Sequence, residues 1–475
     1  MVYDLLEKLN FFSKQDPDGI CFVDSVHSSA LSFSELDKLS GKVYHFLKKQ
    51  GLGKEDFVLV CLPRSYDAAA AVIGVLKNDS AFVIVEDNYA PERITYIKEN
   101  CECKLTIDCN IWEQIMKLEP LPGFEAADEH DAAFAYYTSG STGKPKGILH
   151  ERGNIGRIIE SHYFQSCPPF SDADDRFALI TPFNFSAAVD FLFYNLYVGA
   201  EIFIVPTEIV RNKENLLSYM KEHQISSFFM TPSYFRKFPE FPKSVRACII
   251  GAEPVSNAYR NGVAVHNSYS LSESGYSIAH FLIDKNYKHT PVGKSDYGYK
   301  VQIIKENGEE AKINEIGEVR FENPFVRGYI KLDDVNQKCF QNGLFCSGDL
   351  GKIDENGNLL ICGRSTEMVK INGNRVEPAE IEATFKKLTG LDWIVAKGFE
   401  DENKSYVCLY YLTDQVLDLK NIVEQMKNYL PKYMIPKYMI RLEEPPLNSN
   451  GKLSHASLFS PYDNVYDPSD IYQTI

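Results

Sequence analysis

The chain has 475 residues, of which 44% are hydrophobic and 24% are charged, as in ordinary globular proteins. Its 50 Lys and Arg residues against 65 Asp and Glu residues give a net charge of −15. This balance argues against a nucleic-acid or anionic-membrane partner, because such partners require clustered positive charge. At about 150 residues per domain, the length predicts two or three domains.

Neither the cysteines nor the apolar segments indicate a metal site or a membrane anchor. The closest cysteines, Cys101, Cys103 and Cys109, have no C-x-x-C spacing and no nearby histidine, so a zinc site is not expected. The longest apolar segments, 68–76 and 191–205, are too short or too interrupted to cross a bilayer. With no secretory signal visible, we expect reduced thiols and a cytoplasmic location.

The first half of the chain alternates strand-like apolar runs with helical patterns. Strands are predicted over 57–62 and 81–85, with a helix over 68–77 between them. Further strands are predicted over 177–180, 200–205, 227–230 and 247–250. Strands that alternate with helices predict parallel βαβ units, and hence an α/β fold with helices on both faces of the sheet.

The pattern changes from about residue 301. Short alternating strands over 301–304, 317–321 and 358–362 are separated by Asn-Gly turns, which is typical of an antiparallel sheet or a small barrel. After residue 364 the chain has the pattern of a small α+β domain, with helices predicted over 378–387 and 419–430 and a strand predicted over 405–412. We therefore predict a large N-terminal domain of mixed α/β layers with a small barrel, followed by a small α+β domain.

Residues 135–147, Ala-Tyr-Tyr-Thr-Ser-Gly-Ser-Thr-Gly-Lys-Pro-Lys-Gly, have the composition of a phosphate-binding loop. Glycines let the backbone approach a ligand, hydroxyl and N–H groups donate hydrogen bonds, and lysines supply positive charge. The spacing is not that of the Walker loop, because Gly140 and Gly143 are too close and Pro145 interrupts the pattern. The alternative, a flexible Ser/Gly linker, is disfavoured by the lysines, the proline and the flanking apolar residues.

This loop resembles the phosphate-binding signature of the adenylate-forming superfamily, which comprises amino-acid adenylation domains, acyl- and aryl-CoA ligases and luciferases. Further segments resemble the superfamily's signatures in the expected order, namely 81–94, 251–253, 267–273, 347–350, 363–364, 369–377, 430–436 and 450–453. The segment Leu-Pro-Lys-Tyr-Met-Ile-Pro at 430–436 is most similar to stand-alone, nonribosomal-peptide-type adenylation enzymes and D-alanine carrier-protein ligases.

The resemblance implies an ATP-dependent, AMP-forming ligase with ATP and Mg²⁺ as cofactors. A small carboxylic acid attacks the α-phosphate of ATP, pyrophosphate leaves, and the acyl-adenylate is transferred to the thiol of a phosphopantetheinylated carrier protein or of CoA. Catalysis of such a step is mostly positioning and electrostatic stabilisation. The implied domains are an adenylation core over 1–364, which binds ATP and the acid, and a mobile C-terminal domain over 365–475, which carries the catalytic lysine.

The resemblance also implies site residues. Lys452 would reach the substrate carboxylate and the α-phosphate, Lys146 would bind the β- and γ-phosphates, and Glu273 would hold Mg²⁺. Asp349 would accept hydrogen bonds from the ribose, and Tyr269 would stack on the adenine. The other predicted nucleotide-binding residues are Thr138, Ser139, Gly140, Ser141, Thr142, Gly143, Gly251, Ala252, Glu253, Asn267, Ser268, Ser272 and Arg364.

Each of the main assignments has a plain structural alternative. Lys452 could be a solvated surface charge, and Asp349 a turn residue. Glu273 could be a carboxylate at a helix N-terminus, where the helix dipole favours it. Tyr269 could be an ordinary core residue.

The C-terminal domain is implied to rotate between the two steps, because the thiol arm needs the space that Lys452 occupies. The family's hinge residue, usually Asp or Lys, corresponds to Thr366, and a hinge only has to absorb a backbone change. Lys370 and Gly373 would then line the thiol tunnel. No carrier attachment segment follows residue 453, so a carrier protein is expected to act in trans.

The acid-binding segment departs from the amino-acid-activating pattern. Those relatives carry Phe-Asp, whose Asp pairs with the substrate's α-ammonium, whereas here Ser186 follows Phe185. A buried ammonium without a counter-charge costs several kcal/mol, so a standard α-amino acid is not expected in the usual way. Ala187, Phe229, Ile249, Gly251, Ser268, Tyr276 and Ser277 are expected to complete the pocket.

Two substrate classes remain open. Asp190, one helical turn after Ser186, could pair with the amine of a β- or ω-amino acid. Alternatively, the acid has no amine and is an aryl, hydroxy or short aliphatic acid, to which Ser186 makes a neutral hydrogen bond. The structural alternative for Asp190 is a helix-surface carboxylate. A long-chain fatty acid is disfavoured because the predicted lining is mixed polar and aromatic.

Two other functions compete with a carrier-loading ligase. An acyl-CoA or aryl-CoA ligase would use CoA as the thiol acceptor. A non-catalytic relative would bind a nucleotide or an acyl-adenylate as a sensor. Such relatives generally lose a catalytic lysine, whereas this chain retains Lys146, Glu273, Asp349 and Lys452.

Overall fold

The computed structural model describes residues 4–24, 29–86, 89–139, 144–165, 172–295, 300–364, 368–401, 404–446, 457–463, 467 and 470–474. Six predicted site residues lie outside these ranges, namely Gly140, Ser141, Thr142, Gly143, Thr366 and Lys452. Their roles stay predictions.

The chain divides into two compact units. The first comprises Met1–Asp87, Lys98–Tyr136 and Gly147–Gly363, and the second comprises Asn88–Ile97, Tyr137–Lys146 and Arg364–Ile475. Two short segments before residue 150 therefore group with the C-terminal part of the chain. The predicted domain division at residues 364 and 365 stays a prediction.

The helices in chain order are α1 Leu5–Gln15, α2 Phe33–Lys49, α3 Tyr66–Lys77, α4 Pro91–Asn100, α5 Cys109–Met116, α6 Arg152–Gln165, α7 Ser186–Val198, α8 Thr207–Val210, α9 Lys213–Glu222, α10 Pro232–Phe235, α11 Asp333–Cys339, α12 Pro378–Thr389 and α13 Leu419–Met426. Within the described ranges, none of them combines the length and the apolar character that a bilayer crossing requires.

The strands of the first unit are β1 Ile20–Asp24, β2 Ser29–Ser32, β3 Phe57–Val60, β4 Ala81–Ile84, β5 Leu105–Ile107, β6 Ala132–Thr138, β7 Lys146–Glu151, β8 Arg176–Leu179, β9 Glu201–Ile204, β10 Ser227–Met230, β11 Ala247–Gly251, β12 Ala264–Ser270, β13 Ser277–Leu282, β14 Val301–Ile304, β15 Gly317–Glu322, β16 Val326–Tyr329, β17 Phe340–Gln341, β18 Leu344–Ile353 and β19 Leu359–Arg364. Three of them, β6, β7 and β19, continue into the second unit at one end.

Two largely parallel sheets form the body of the first unit. One has eight strands in the order β13-β12-β11-β10-β8-β9-β1-β2, and the other has six in the order β16-β7-β6-β4-β3-β5. Most pairs are parallel, for example β10 with β11 and β3 with β4, whereas antiparallel pairs close both edges of the eight-stranded sheet and the β16 edge of the six-stranded one. The predicted α/β class is thereby confirmed.

Helix α7 lies between these two sheets. Every residue from Ala187 to Leu196 is buried. The ring of Phe191 lies 5.4 Å from Phe177 of the eight-stranded sheet, and that of Phe193 lies 6.2 Å from Phe82 of the six-stranded sheet. A helix that is apolar on all sides has to be buried on all sides. The helix that begins at Ser186 therefore belongs to the centre of the core.

The predicted change of architecture near residue 301 is also confirmed. Strands β14, β15, β18 and β17 form an antiparallel sheet in that order, and β19 pairs with β18. The longest strand, β18, includes the segment 347–350 that carries the Ser-Gly-Asp-Leu signature.

The second unit has an α+β core of its own. Strands β20 Val369–Ile371 and β21 Asn374–Val376 form a hairpin, and β22 Ile394–Asp401, β23 Lys404–Leu412, β24 Tyr438–Leu442 and β25 Ile471–Gln473 form a four-stranded sheet. Its hydrophobic core includes residues of helices α12 and α13, such as Phe385 and Met426. Helix α12 begins with a proline in its first turn and is capped at its C-terminus by Gly390, whose φ of +73° suits glycine.

Candidate functional site

The two segments predicted to frame an adenine are neighbouring parallel strands. Gly251, at the end of β11, pairs with Ser268 of β12. A Cβ on Gly251 would lie 2.7 Å from the Ser268 carbonyl oxygen, so only glycine permits this approach. The next residue, Ala252, has a φ of +71°, a left-handed conformation that costs a non-glycine residue about 1–2 kcal/mol. Backbone strain of this kind clusters at ligand-binding sites.

Tyr269 and Asp349, predicted to contact the adenine and the ribose, lie side by side. The Tyr269 hydroxyl donates a hydrogen bond of 2.7 Å to Oδ2 of Asp349, and both side chains are buried. The Asp349 N–H in turn donates to the Ser347 hydroxyl at 3.0 Å. Asp349 lies within strand β18, so its alternative assignment as a turn residue is wrong.

Glu273 is a buried carboxylate held by a tyrosine that the sequence analysis missed. The Tyr329 hydroxyl donates a hydrogen bond of 2.6 Å to Oε1 of Glu273, which is only 1% exposed. Glu273 lies in the turn between β12 and β13, where no helix begins, so the helix N-terminus alternative is wrong. The two residues are 56 positions apart, and no local pattern relates them.

Tyr329 itself is fixed through its backbone by Asn336 of α11. The Tyr329 N–H donates to Oδ1 of Asn336 at 2.7 Å, and Nδ2 of Asn336 donates to the Tyr329 carbonyl at 2.8 Å. The preceding Gly328 has a φ of +106°, and a Cβ there would lie 2.7 Å from Oδ1 of Asn336. The approach of Asn336 therefore requires glycine at residue 328.

His150 supports the turn that carries Ser272 and Glu273. Burial lowers the pKa of His150 to about 3, so the ring is neutral. Because the Asn154 amide donates to Nδ1 at 3.0 Å, the single ring proton lies on Nε2, which donates to the Ser272 carbonyl at 2.8 Å. Asn154 also donates to the Gly275 carbonyl at 3.2 Å. A buried polar network thus holds this turn in place.

One carboxylate fits a Mg²⁺ ion that is shared with phosphates. Mg²⁺ is usually bound through one or two carboxylates, with the remaining ligands coming from phosphates and water. Glu273 offers such a carboxylate beside the strand that carries Tyr269, and the Tyr329 hydroxyl that donates to it is neutral. The donor set therefore suits a magnesium–nucleotide complex.

The predicted acid-pocket residues come from several elements of the first unit. Phe229 pairs with Ile249 and Gly251 with Ser268, which places these four positions on one face of the eight-stranded sheet. The Ser268 and Ser277 hydroxyls are 2.6 Å apart, and the Tyr276 hydroxyl donates to the Glu322 carbonyl at 2.9 Å. Ala187 lies in the first turn of α7, and the rings of Phe185 and Phe229 are 6.4 Å apart.

One alternative placed Asp190 at a helix surface. The structure instead buries its side chain between α7 and strand β6. Its Oδ1 accepts a hydrogen bond of 3.3 Å from the Tyr136 hydroxyl. Burial raises the pKa of Asp190 well above its usual value, which favours the neutral carboxyl. Ser186, the first residue of α7, is half-buried.

The remaining predicted nucleotide-binding residues have diverse surroundings. Glu253 accepts hydrogen bonds from the N–H and the hydroxyl of Ser233 at 2.8 and 3.0 Å, so its carboxylate holds helix α10. Asn267 is buried and donates to the Pro291 carbonyl at 2.8 Å. Thr138 ends β6 and Arg364 ends β19, whereas Lys146 begins β7 and is buried.

Ser139 contacts the hairpin of the second unit. Its hydroxyl donates to the Arg375 carbonyl at 2.7 Å and accepts from the Glu377 N–H at 3.2 Å. Lys370 lies in β20 of the same hairpin, and Gly373 lies in its turn with a φ of +80°. Within this unit, Ser139 of the predicted phosphate loop thus contacts the hairpin that carries the residues predicted for the thiol tunnel.

Comparison with known proteins identifies related chains. Residues 11–330 match the family model described as AMP-binding enzyme. The chain is similar to Gramicidin S synthase 2 of Brevibacillus brevis, with 27% identity over 469 residues and 91% of this chain covered. It spans only 10% of the length of that relative.

Solved structures share the fold. The o-succinylbenzoate CoA synthetase (MenE) of Bacillus subtilis, bound to a product analogue, aligns with a TM-score of 0.84 and 21% identity over 95% of this chain and 97% of that one. An artificially fused adenylation–PCP di-domain, NpsA-ThdA of Klebsiella oxytoca, aligns with a TM-score of 0.81 and 18% identity over 93% of each chain. At these identities the similarity shows the fold alone.

Proposed function

The chain belongs to the AMP-binding enzyme family, and from this membership we propose that it is an ATP-dependent, AMP-forming ligase. It activates a small carboxylic acid as the acyl-adenylate and releases pyrophosphate. It then transfers the acyl group to the phosphopantetheine thiol of a carrier protein. The alternative acceptor is CoA, and both acceptor classes are named among the structural neighbours.

The hydrogen bond between Tyr269 and Asp349 carries this proposal. These residues belong to two separate signatures, 80 positions apart in sequence, and their side chains meet at 2.7 Å. A carboxylate has about four acceptor sites, so one that accepts from a tyrosine hydroxyl can accept further hydrogen bonds from a ligand. Asp349 therefore suits the two hydroxyls of a ribose, with the Tyr269 ring beside it for the adenine.

Charge stabilisation is assigned to Glu273, Lys146 and Lys452. The attack of the acid on the α-phosphate crowds negative charge around one phosphorus, which fixed cationic groups stabilise without reorganisation. Glu273 would hold Mg²⁺, which when bound withdraws negative charge from the phosphates. Tyr329 fixes the orientation of the Glu273 carboxylate, so that this ligand is positioned before the nucleotide arrives.

Within the acid classes left open, we favour an acid without an amine. An ammonium group would need a counter-charge in this buried setting. Ser186 carries no charge, and burial raises the pKa of Asp190, which disfavours the carboxylate that an ammonium group would need. An aryl, hydroxy or short aliphatic acid suits these neutral groups better than a β- or ω-amino acid does.

Acid-dependent exchange of pyrophosphate into ATP tests the proposed reaction. The panel contains α-, β- and ω-amino acids, aryl acids and short aliphatic acids. We expect exchange with aryl, hydroxy or aliphatic acids and little with amino acids. Exchange confined to amino acids would contradict the amine-free assignment, and silence across the panel with intact ATP binding would contradict the adenylation reaction itself.

The catalytic lysine provides a second arm of this test. Lys452→Ala should lower the exchange rate by about 10²–10³-fold, as the loss of a transition-state contact does, and leave ATP binding largely intact. Lys427→Ala is the control, because Lys427 forms an exposed pair with Glu424 in the same unit. Near-normal exchange by Lys452→Ala would refute the assigned role.

The acceptor is identified by the second half-reaction. Release of AMP from the enzyme-bound acyl-adenylate is measured with CoA and with a phosphopantetheinylated carrier protein. We expect the carrier protein to accelerate release. Acceleration by CoA alone would identify the chain as a CoA ligase.

A further inference from the structure

His266 lies on the sheet face that carries the predicted acid-pocket residues, yet no signature singles it out. It pairs with Ile249 in the parallel ladder of β11 and β12, and Ser268 follows two residues later on the same face. Its side chain is 1% exposed. Val265, which precedes His266, and Ile250, which follows Ile249, belong to the hydrophobic cluster on the opposite face of the sheet. The imidazole is therefore directed towards the pocket side.

Among the residues that the structure describes, neither ring nitrogen of His266 has a hydrogen-bond partner. Burying a donor or acceptor without a partner costs free energy, and such groups in native proteins usually hydrogen-bond to a bound water or ligand. Burial lowers the pKa of His266 to about 4, so the ring is neutral and presents one donor and one acceptor. A neutral imidazole therefore suits a neutral polar group better than a charged one.

The position of His266 along its strand decides which end of the acid it meets. Tyr269, which contacts Asp349, lies three residues further towards the carboxyl end of β12, about 10 Å away at 3.3 Å per residue. The reacting carboxylate has to be near the nucleotide. A molecule that extends from there across Ser268 therefore approaches His266 with its far end.

We propose that His266 is a specificity-determining residue that binds the far end of the acid, and that this end carries a neutral hydrogen-bonding group such as a hydroxyl or a carbonyl. The inference rests on the proposed acid-activating function and narrows its substrate class. Phe229 and Tyr276, predicted to line the same pocket, suit an aromatic or short apolar segment between the two polar ends.

Matched pairs of acids test this assignment by pyrophosphate exchange. The pairs are benzoate with 4-hydroxybenzoate, 3-phenylpropionate with 3-(4-hydroxyphenyl)propionate, and hexanoate with 6-hydroxyhexanoate. In at least one pair the wild-type protein should favour the hydroxylated acid at least tenfold in kcat/KM. His266→Leu should erase that preference by losing activity only with the hydroxylated member, and His266→Gln, which keeps a donor and an acceptor, should retain part of it.

The control is His289→Leu, the same chemical change at an exposed position of the same unit. Exchange with no discrimination in any pair, or discrimination that survives in His266→Leu, would overturn the assignment of His266. Absence of exchange with every acid would instead overturn the proposed function.

Thermal unfolding of the ligand-free proteins gives a readout that is independent of activity. Because no described residue hydrogen-bonds to the imidazole, His266→Leu should unfold at the same temperature as the wild type or higher. A clear fall in the midpoint, absent in His289→Leu, would show that His266 supports the fold and would overturn its assignment to the acid.

Discussion

At the scale of single residues, the site uses tyrosine hydroxyls to fix buried carboxylates. Tyr269 donates to Asp349 at 2.7 Å, and Tyr329 donates to Glu273 at 2.6 Å. A carboxylate that is already hydrogen-bonded loses less freedom when it binds a ligand, so the cost of ordering is met during folding. The carboxylates were recognisable from local signatures, whereas both tyrosine contacts join distant parts of the sequence.

Tyr329→Phe tests this positioning. Loss of a hydrogen bond to a charged group, worth about 1.5–3 kcal/mol, should raise the Mg²⁺ concentration for half-maximal pyrophosphate exchange by about 10–100-fold. Binding of ATP measured without Mg²⁺ should change little, because the lost contact concerns Glu273. The matched control is Tyr287→Phe, which removes a 2.7 Å hydrogen bond to Asp284 at the surface. A magnesium dependence equal to that of the control would refute the positioning role.

At the scale of secondary-structure elements, an ion pair joins helices α4 and α12 within the second unit. Nη1 of Arg93 lies 2.8 Å from Oε1 of Glu380, and both side chains are buried. Arg93 belongs to the segment 81–94 that resembles a family signature, yet its contact is structural. Removing one partner of such a pair leaves an uncompensated buried charge.

Glu380→Ala should therefore lower the free energy of unfolding by about 3–5 kcal/mol. The double variant Arg93→Met, Glu380→Leu should recover most of this loss, because it leaves no buried charge. Lys386→Ala, which breaks an exposed pair with Asp392, is the control and should cost less than about 1 kcal/mol. Urea unfolding of the full chain measures the free energy of unfolding of all three variants. Equal losses in Glu380→Ala and Lys386→Ala would show that the buried pair is not stabilising.

The sequence predicted elements better than their packing. The strands over 227–230 and 301–304 were located to the residue, because their apolar patterns are strong and local. The helix predicted over 419–430 ends at Met426 instead, and the following residues form a turn that leads to Pro431. The sequence did not reveal that α7 lies between two sheets, since an apolar helix can be buried in several ways.

At the scale of the whole molecule, buried neutral histidines couple stability to pH. Burial lowers the pKa of His150 to about 3 and that of His266 to about 4, from about 6.5 in an unfolded chain. The unfolded chain therefore binds more protons than the folded one below pH 6.5, and stability falls as the pH decreases from there towards the folded values. Asp190, whose pKa is raised, contributes with the opposite sign.

The difference between wild type and His150→Gln isolates one of these contributions. Between pH 6.5 and 5, the free energy of unfolding of the wild type should fall by up to about 1 kcal/mol per pH unit more than that of the variant. Thermal unfolding across this range measures the difference, with the exposed His289→Gln as control. Parallel pH profiles for wild type and His150→Gln would mean that His150 is not held neutral in the fold.

The sequence by itself determined the superfamily, the α/β class and the candidate residues, because each signature is a local arrangement of glycines, hydroxyls and charges with a direct chemical meaning. The superfamily and the fold are confirmed, whereas the residue roles remain proposals. Only the tertiary structure decided which groups meet, such as Tyr329 with Glu273, Tyr136 with Asp190, and His266 with Ile249. Such contacts depend on strand register and helix packing over long separations, which no local pattern encodes.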